Sequence, residues 1–174
     1  MKKLLYILCG LAVILTAFLL FKYFTVKKID MSKVEFVQTD NSVNLRRVKV
    51  NGKWGLIDLS NRPVSDFEYD SISSFTDNKS VVVKDGKYGF IDDKINAVTP
   101  VKYDLAFNFI NGLAKVAING KWGVIDENGK ELVKPDYYDY ISTFDYKGLA
   151  RAENHKDNVK VLIDTTGKVV KTLE

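Results

Sequence analysis

Three near-identical hexapeptides, KWGLID at residues 53–58, KYGFID at 87–92 and KWGVID at 121–126, follow one another at a spacing of 34 residues. A fourth and degenerate copy, VKVLID, occupies residues 159–164, at a displacement of 38 residues. An Asn-Gly or Asp-Gly dipeptide precedes each of the first three copies, and a Tyr-Asp dipeptide follows each of them. Self-similarity of this kind indicates an array in which one supersecondary unit repeats.

The residues around each hexapeptide predict β-hairpins. Asn-Gly and Asp-Gly between β-rich segments favour a type I′ turn, because both central residues of that turn need positive φ. A second turn follows each Ile-Asp pair, where Gly129 and Gly167 suit a left-handed position and Asn61 suits it nearly as well. Ile95 stands at the same position in the second copy and does not suit it. Because no helical periodicity follows Phe24, the predicted fold class is all-β, with about three short strands per unit.

Tandem antiparallel β-hairpin or meander repeats with this period can form an open solenoid-like array or a propeller-like one. A single hairpin is unstable alone, whereas stacked units bury a shared core. Propellers close with roughly 4 to 8 blades of four strands, so about four units of three strands favour the open array. We predict a linker and N-terminal cap over residues 29–46 and a repeat domain over residues 47–174, in which three good units precede the degenerate fourth.

The N-terminus contains an uncharged apolar segment, LLYILCGLAVILTAFLLF, at residues 4–21. As a helix with a rise of about 1.5 Å per residue it would be roughly 27 Å long, close to the roughly 30 Å of a bilayer's hydrocarbon core. We predict one transmembrane helix from about Leu4 to Phe24, within an anchor region of residues 1–28. A cleavable secretory signal is the alternative, but such signals have a shorter apolar segment and a small-residue cleavage site.

The distribution of charge argues against a nucleic-acid partner. The whole chain has a net charge of +4, and residues 1–28 contain five lysines and no acidic residue. Residues 29–174 therefore carry a net charge of −1, whereas nucleic-acid-binding domains present a basic surface. A short basic N-terminus directly before an apolar span is typical of an uncleaved signal anchor. We predict a single-pass protein of the cell membrane whose repeat domain is extracytoplasmic.

The hexapeptides and their flanks resemble the WG-repeat family of bacterial proteins, whose units pair an aromatic-Gly core with a later proline and Tyr-Asp. Pro100 and Pro135 match the proline of the family, whereas Asp66 replaces it in the first unit. The residues that match the aromatic-Gly core are Trp54, Gly55, Tyr88, Gly89, Trp122 and Gly123. The resemblance implies no known chemistry, and hence a protein that is not an enzyme and needs no cofactor.

No constellation of residues in the sequence points to catalysis or to a metal. The only histidine, His155, lies in a polar stretch, and the only cysteine, Cys9, lies within the predicted span. An aspartate ends each hexapeptide; the four are Asp58, Asp92, Asp126 and Asp164. Asx-type hydrogen bonds to the local backbone explain that position better than a cation site, which needs several oxygens converging on one point.

The repeated aromatic residues are the candidates for binding. Trp54, Tyr88 and Trp122 are expected to fill the core between units, with the adjacent glycines allowing close backbone approach. Tyrosines near strand ends form a possible ligand or partner face, because such a ring can pack while its hydroxyl stays wet. The four candidates are Tyr69, Tyr103, Tyr137 and Tyr138. In the other interpretation, each tyrosine closes its own unit and bonds a turn.

The leading hypothesis is a non-catalytic, membrane-tethered binding or scaffolding module for protein–protein interaction at the cell envelope, because repeats provide extended surfaces. It predicts a flat surface without a deep pocket. The alternative is a receptor for a cell-wall glycan or small ligand that uses the repeated aromatic residues. It predicts exposed aromatic side chains in a groove.

Overall fold

The computed structural model describes residues 28–174, which form four antiparallel β-sheets and one 3-10 turn at Met31–Lys33. The first sheet contains β1 (Phe36–Asp40), β2 (Leu45–Val50) and β3 (Lys53–Asp58). The second contains β4 (Ser71–Ile72), β5 (Lys79–Lys84), β6 (Lys87–Asp92) and β7 (Ala97–Tyr103). The third contains β8 (Leu105–Ala106), β9 (Leu113–Ile118), β10 (Lys121–Asp126) and β11 (Glu131–Tyr138). The fourth contains β12 (Tyr140–Ile141), β13 (Leu149–Asn154), β14 (Val159–Asp164) and β15 (Val169–Thr172), which confirms the all-β prediction for these residues.

Each sheet is a meander in which strands that follow one another along the chain pair side by side. The second, third and fourth sheets have four strands, so the prediction of about three strands per unit is wrong for them. The strands that the sequence did not reveal are β4, β8 and β12, which contain two residues each and are too short to show alternation. Four-stranded antiparallel meanders are also the blades of β-propellers, so strand number no longer favours the open array.

The structure describes the predicted cap and the fourth copy, whereas the predicted membrane span lies outside the described residues. The predicted membrane span from Leu4 to Phe24 lies outside the described residues, and within residues 28–174 no helix is long and apolar enough to cross a membrane. The segment 29–46, predicted as a linker and cap, supplies β1 and the first two residues of β2 to the first sheet. The fourth copy forms a complete four-stranded sheet although Lys160 and Val161 replace its Trp-Gly pair.

The predicted turns form with the expected backbone geometry. Asn51 and Gly52, between β2 and β3, have φ angles of 51° and 78°, and the Asp85-Gly86 and Asn119-Gly120 turns repeat this pair of positive values. In the second turn of the unit, the left-handed position holds Gly129 or Gly167 in the last two sheets. Ile95 adopts the same conformation with φ of 68°, although a β-branched residue is a genuine outlier there.

Hydrophobic layers join each sheet to the next along the chain. The layers contain several side chains that are fully buried, among them Leu56, Val82, Phe90, Tyr103, Phe109, Val116, Ile125, Ile141 and Ile163. Among residues 28–174, none of the three clusters combines side chains of the first sheet with side chains of the fourth. The units therefore stack in sequence order, each burying its faces against its neighbours.

The glycine of each aromatic-Gly pair lies where the last strand of the unit crosses closely over the hairpin. A Cβ atom on Gly123 would lie 2.4 Å from the Val133 carbonyl oxygen, and one on Gly89 would lie 2.9 Å from Val101 Cα. The pairing register of β10 with β11 shifts at the same place, between Trp122 and Val124. A side chain at this position would push the two strands apart, because real Cβ contacts are longer.

The aspartate of each Tyr-Asp dipeptide connects two neighbouring units. Asp104 pairs with the Lys87 ammonium of the preceding hairpin, and its other carboxylate oxygen accepts the backbone N–H of Asn119 in the next turn at 2.6 Å. The equivalent ties are Lys53–Asp70–Asp85 and Lys121–Asp139–His155. In each tie the hydrogen bond from the lysine lowers the pKa of the carboxyl group. The repeated dipeptide is thus a connector between sheets.

Candidate functional site

An apolar cleft with a volume of about 420 Å³ opens between the third and fourth sheets. Its rim is formed by the loop between β8 and β9 and the loop between β12 and β13, which face each other across the junction. Its lining includes Phe107, Ile110, Lys115, Thr143, Phe144 and Tyr146. A cleft of this size lies within the range of small-molecule and cofactor sites, roughly 300–1,000 Å³.

Three large apolar side chains at this cleft are exposed. Phe107 is 53% exposed, Ile110 61% and Tyr146 91%. The Phe107 ring lies on Trp122, with 5.6 Å between ring centroids and 31° between their planes. Trp122 itself is half-buried against the layer between the third and fourth sheets. Contiguous exposed apolar side chains of this kind mark interaction surfaces more often than scattered single residues do.

The exposed residues of the cleft depart from the pattern of the other units. Phe107 lies in the β8–β9 loop of the third sheet, three residues after Asp104. The corresponding loops of the second and fourth sheets have Ser73 and Ser142 at this position. Ile110 stands six residues after the same aspartate, where the second unit has Thr76. Prediction from the sequence missed this site, because it looked for function among the repeated residues. Comparing the copies position by position supplies the signal, since a fold that accepts serine does not need phenylalanine.

Lys115 brings a positive charge into the apolar cleft. Its Nζ atom donates a hydrogen bond to the Ile141 carbonyl oxygen at 3.0 Å and lies 5.3 Å from the Phe107 ring centroid and 5.7 Å from that of Trp122. Burial away from water lowers the pKa of this ammonium group. Within residues 28–174, no carboxylate forms an ion pair with it. Cation–π contacts and one carbonyl replace only part of its hydration.

The four tyrosines of the predicted face do not share one environment. Tyr103 is fully buried, with its hydroxyl 3.5 Å from Glu131 Oε1, and a ligand on the surface cannot reach its ring. Tyr69 and Tyr138 are half-buried against the first and third hydrophobic layers. Tyr137 is exposed and packs edge-on against Tyr138. The exposed aromatic side chains in a groove that the glycan alternative predicted lie instead at the cleft beside Phe107, which none of these tyrosines lines. This cleft contradicts the flat surface predicted for the protein-interaction module.

The polar residues weighed for catalysis or metal binding occupy ordinary positions. One carboxylate oxygen of Asp126 accepts the backbone N–H groups of Asn128 and Lys130, and the three equivalent aspartates do the same in their turns. His155 is exposed beside Glu153. In the part of the chain that the structure describes, no group of three or more histidine, cysteine, aspartate or glutamate side chains is placed to hold a metal ion.

A comparison with protein families identifies the repeat. The WG containing repeat matches residues 54–88, 88–122 and 122–156, which is more than half of the chain. The chain belongs to the WG-repeat family. Each matched unit of this WG-repeat protein begins at the aromatic residue of one hairpin and ends at that of the next, so a unit spans the junction between two sheets. No curated protein matches the chain.

Solved structures with similar folds are larger than this protein. Hsv2 of Kluyveromyces lactis is similar with a TM-score of 0.45 and 11% identity, over 82% of this chain and 52% of that chain. The N-terminal domain of Nup159 gives 0.44 and 10%, over 82% and 44%. The Pan2 WD40 domain of Neurospora crassa gives 0.37 and 15%, over 80% and 49%. The WG-repeat chain spans about half the length of these structures.

Proposed function

We propose that this protein is a non-catalytic binding module, tethered to the cell membrane by residues 1–28, which recognises a protein partner through the cleft between its third and fourth sheets. The observation that carries the proposal is the replacement of small polar residues of the repeat by exposed Phe107 and Ile110. Apart from the contacts of Phe107 with Trp122 and Lys115, the apolar surface of these side chains stays in water, where its burial by a partner would be favourable. Binding a partner is the physical reason for keeping them.

The lining of the cleft favours a polypeptide over a glycan. Leu113, Ala114 and Val124 form its floor together with Phe144, and none of these side chains can donate or accept a hydrogen bond. A sugar ring stacks on an aromatic face but also needs partners for its hydroxyl groups. The polar lining residues include Asn108, Asn111 and Thr165, so it is the apolar floor that favours a polypeptide. Apolar side chains of a partner protein match an apolar floor with an aromatic rim, as in the buried anchors of protein interfaces.

Site-specific photo-crosslinking in cells tests the partner. A photoreactive phenylalanine at position 110 should crosslink to a discrete polypeptide, whereas the same group at position 170, on the exposed strand β15, should not. The crosslink at position 110 should disappear in Phe107→Ser, which gives the third unit the residue that the second and fourth units have at this position. Identical crosslinked products from both positions would contradict a specific interface.

Sedimentation with purified cell wall tests the glycan alternative. Wild type and Phe107→Ser are expected to remain equally in the supernatant. Strong sedimentation of wild type that is lost in Phe107→Ser or in Tyr137→Ala would show that the partner is a wall polymer and not a protein.

The tether is tested by fractionation. The full-length protein is expected to stay in the membrane fraction after high-salt and carbonate washing and to keep its original N-terminus. A soluble product that begins between Thr25 and Asp30 would show that residues 1–28 are a cleaved signal.

A further inference from the structure

The charged groups of the cleft differ in how well they are paired. Asp145 Oδ1 accepts the backbone N–H groups of Lys147 and Leu149, at 2.8 and 2.9 Å, and so closes its own loop. Among the residues that the structure describes, Lys115 donates a single hydrogen bond, to the Ile141 carbonyl, although an ammonium group can donate three. Its remaining donors lie beside the aromatic rim. Among the described residues, the cleft therefore presents a cation with one hydrogen bond and no ion pair, and a carboxylate whose Oδ1 is held by its own loop.

The equivalent position in the first sheet holds a more deeply buried cation, Arg47, whose Nε has no hydrogen-bond partner among the described residues. Arg47 is buried and donates to the Ile72 carbonyl at 3.0 Å and to Ser74 Oγ at 2.9 Å, both in the second unit. Lys115 repeats the first of these bonds with Ile141. The residue that corresponds to Ser74 is Thr143, and it lines the open cleft. The shorter lysine thus leaves open the space that the arginine head group occupies at the first junction.

We infer that the cleft binds a peptide segment in which an acidic side chain adjoins a bulky apolar one, with the carboxylate on the Lys115 ammonium and the apolar side chain among Phe107, Ile110 and Tyr146. This inference rests on the proposed function and names the chemistry of its partner. A half-buried ammonium gains most from an opposite charge that arrives together with apolar groups, because those groups exclude water from the contact. Neutral apolar ligands would leave the ammonium further desolvated and unpaired.

A binding experiment with paired synthetic peptides tests this chemistry. The full-length chain, reconstituted in lipid nanodiscs, is titrated with peptides of the form Gly-Φ-Glu-Φ-Gly, where Φ is Phe, Leu, Ile or Tyr, and with their Glu→Gln counterparts. The best glutamate peptide is expected to bind at least about tenfold more tightly than its glutamine counterpart. Lys115→Met should reduce the affinity for the glutamate peptide to that for the glutamine peptide.

A second lysine provides the control. The Lys79 ammonium also lies over a phenylalanine ring, 5.4 Å from the Phe109 centroid, but Lys79 does not line the cleft. Lys79→Met should therefore leave both affinities unchanged. If Lys115→Met fails to fold, the glutamate and glutamine peptides on wild type still decide the question.

Three results would overturn the inference: equal affinity of wild type for glutamate and glutamine peptides, equal loss in Lys79→Met and Lys115→Met, or no binding of any peptide in the series. The proposed function is judged separately by crosslinking at position 110. A crosslinked polypeptide together with equal binding of glutamate and glutamine peptides would support the proposed function and contradict the inference that a carboxylate is recognised. If neither a crosslinked polypeptide nor peptide binding is observed, both the proposed function and the inference about the carboxylate are wrong.

Discussion

The turn at Ile95 and the turn at Gly129 occupy the same place in two neighbouring units, yet they tolerate different residues. A Cβ atom on Gly129 would lie 2.4 Å from the Val98 carbonyl oxygen, on the last strand of the preceding sheet. Ile95 faces the first sheet instead, at a cleft of about 450 Å³ that Pro63 and Val64 also line. The space at the turn is therefore set by the neighbouring unit.

The difference originates in the first sheet, which has three strands and no continuous fourth one. Between Pro63 and Tyr69 the two end residues form isolated bridges to β3, and the Val64 N–H donates to the Leu56 carbonyl at 2.9 Å. By contrast, β7 and β11 are continuous strands that pair with their hairpins at three positions, with register shifts between them. A complete last strand brings a backbone carbonyl against the next turn and demands glycine there. A broken last strand leaves room for a side chain. At this turn the first junction is thus looser than the second and third, although all three junctions carry the same Lys–Asp tie.

The largest expected effect contrasts the tyrosines of these junctions. Tyr103→Ala removes a fully buried ring from the second junction and should lower the free energy of unfolding by about 4 kcal/mol. Tyr69→Ala, at the loose first junction, removes a half-buried ring and should cost about half as much. Urea unfolding of the full-length chain, followed by tryptophan fluorescence, measures both. Equal losses would contradict the distinction between a tight and a loose junction.

The next effect concerns the glycine turn. Gly129→Ala places a methyl group against the Val98 carbonyl at a residue with φ of 78°, so both overpacking and backbone strain oppose it. The expected loss is about 3 kcal/mol. Gly86→Ala is the control, because Gly86 has a similar φ of 73° but no atom within 4 Å of the added methyl group. Gly86→Ala should lower the free energy of unfolding only by the backbone strain at positive φ, about 1–2 kcal/mol. An equal loss of stability in Gly86→Ala and Gly129→Ala would show that the neighbouring strand does not cause the effect at Gly129.

Local chemistry made the hairpins and the all-β class predictable from the sequence. The Asn119-Gly120 turn forms because of the backbone preference of its own two residues. The turn after β10 is stabilised by Asp126, which accepts N–H groups of that same turn. The conformation of Ile95 was not predictable, because the missing strand that permits it belongs to another unit. The position of the cleft was not predictable from one unit either, since Phe107 and Tyr146 line it from two stacked sheets.

The Lys–Asp ties are what the junctions share, and they predict an equal response to acid. Hydrogen bonds from Lys53 and Lys87 lower the pKa of Asp70 and Asp104 in the folded protein, so the unfolded chain takes up protons first as the pH falls. Stability from the ties is therefore present above about pH 4 and is lost as the pH falls through the folded pKa. Asp70→Asn and Asp104→Asn should flatten this acid loss equally. Asp93→Asn, in an exposed turn, should not change it.

The smallest expected effect comes from Ile95→Gly. Glycine relieves the left-handed strain of isoleucine, which is worth about 1–2 kcal/mol. The substitution also removes a half-buried side chain that packs against the layer between the first and second sheets, and this costs a similar amount.

The two contributions should nearly cancel, so the free energy of unfolding should change by less than about 1 kcal/mol in either direction. Ile95→Asn reproduces Asn61, the residue of the first unit, and should behave alike. Urea unfolding of both variants beside Gly129→Ala tests the comparison directly. A loss at Ile95 as large as that at Gly129 would show that the isoleucine side chain substitutes for the missing strand and holds the first junction closed. A near-zero change would show that the packing of Ile95 only offsets its own strain, so that the hydrophobic layer and the Lys53–Asp70 tie supply the net stability of the first junction.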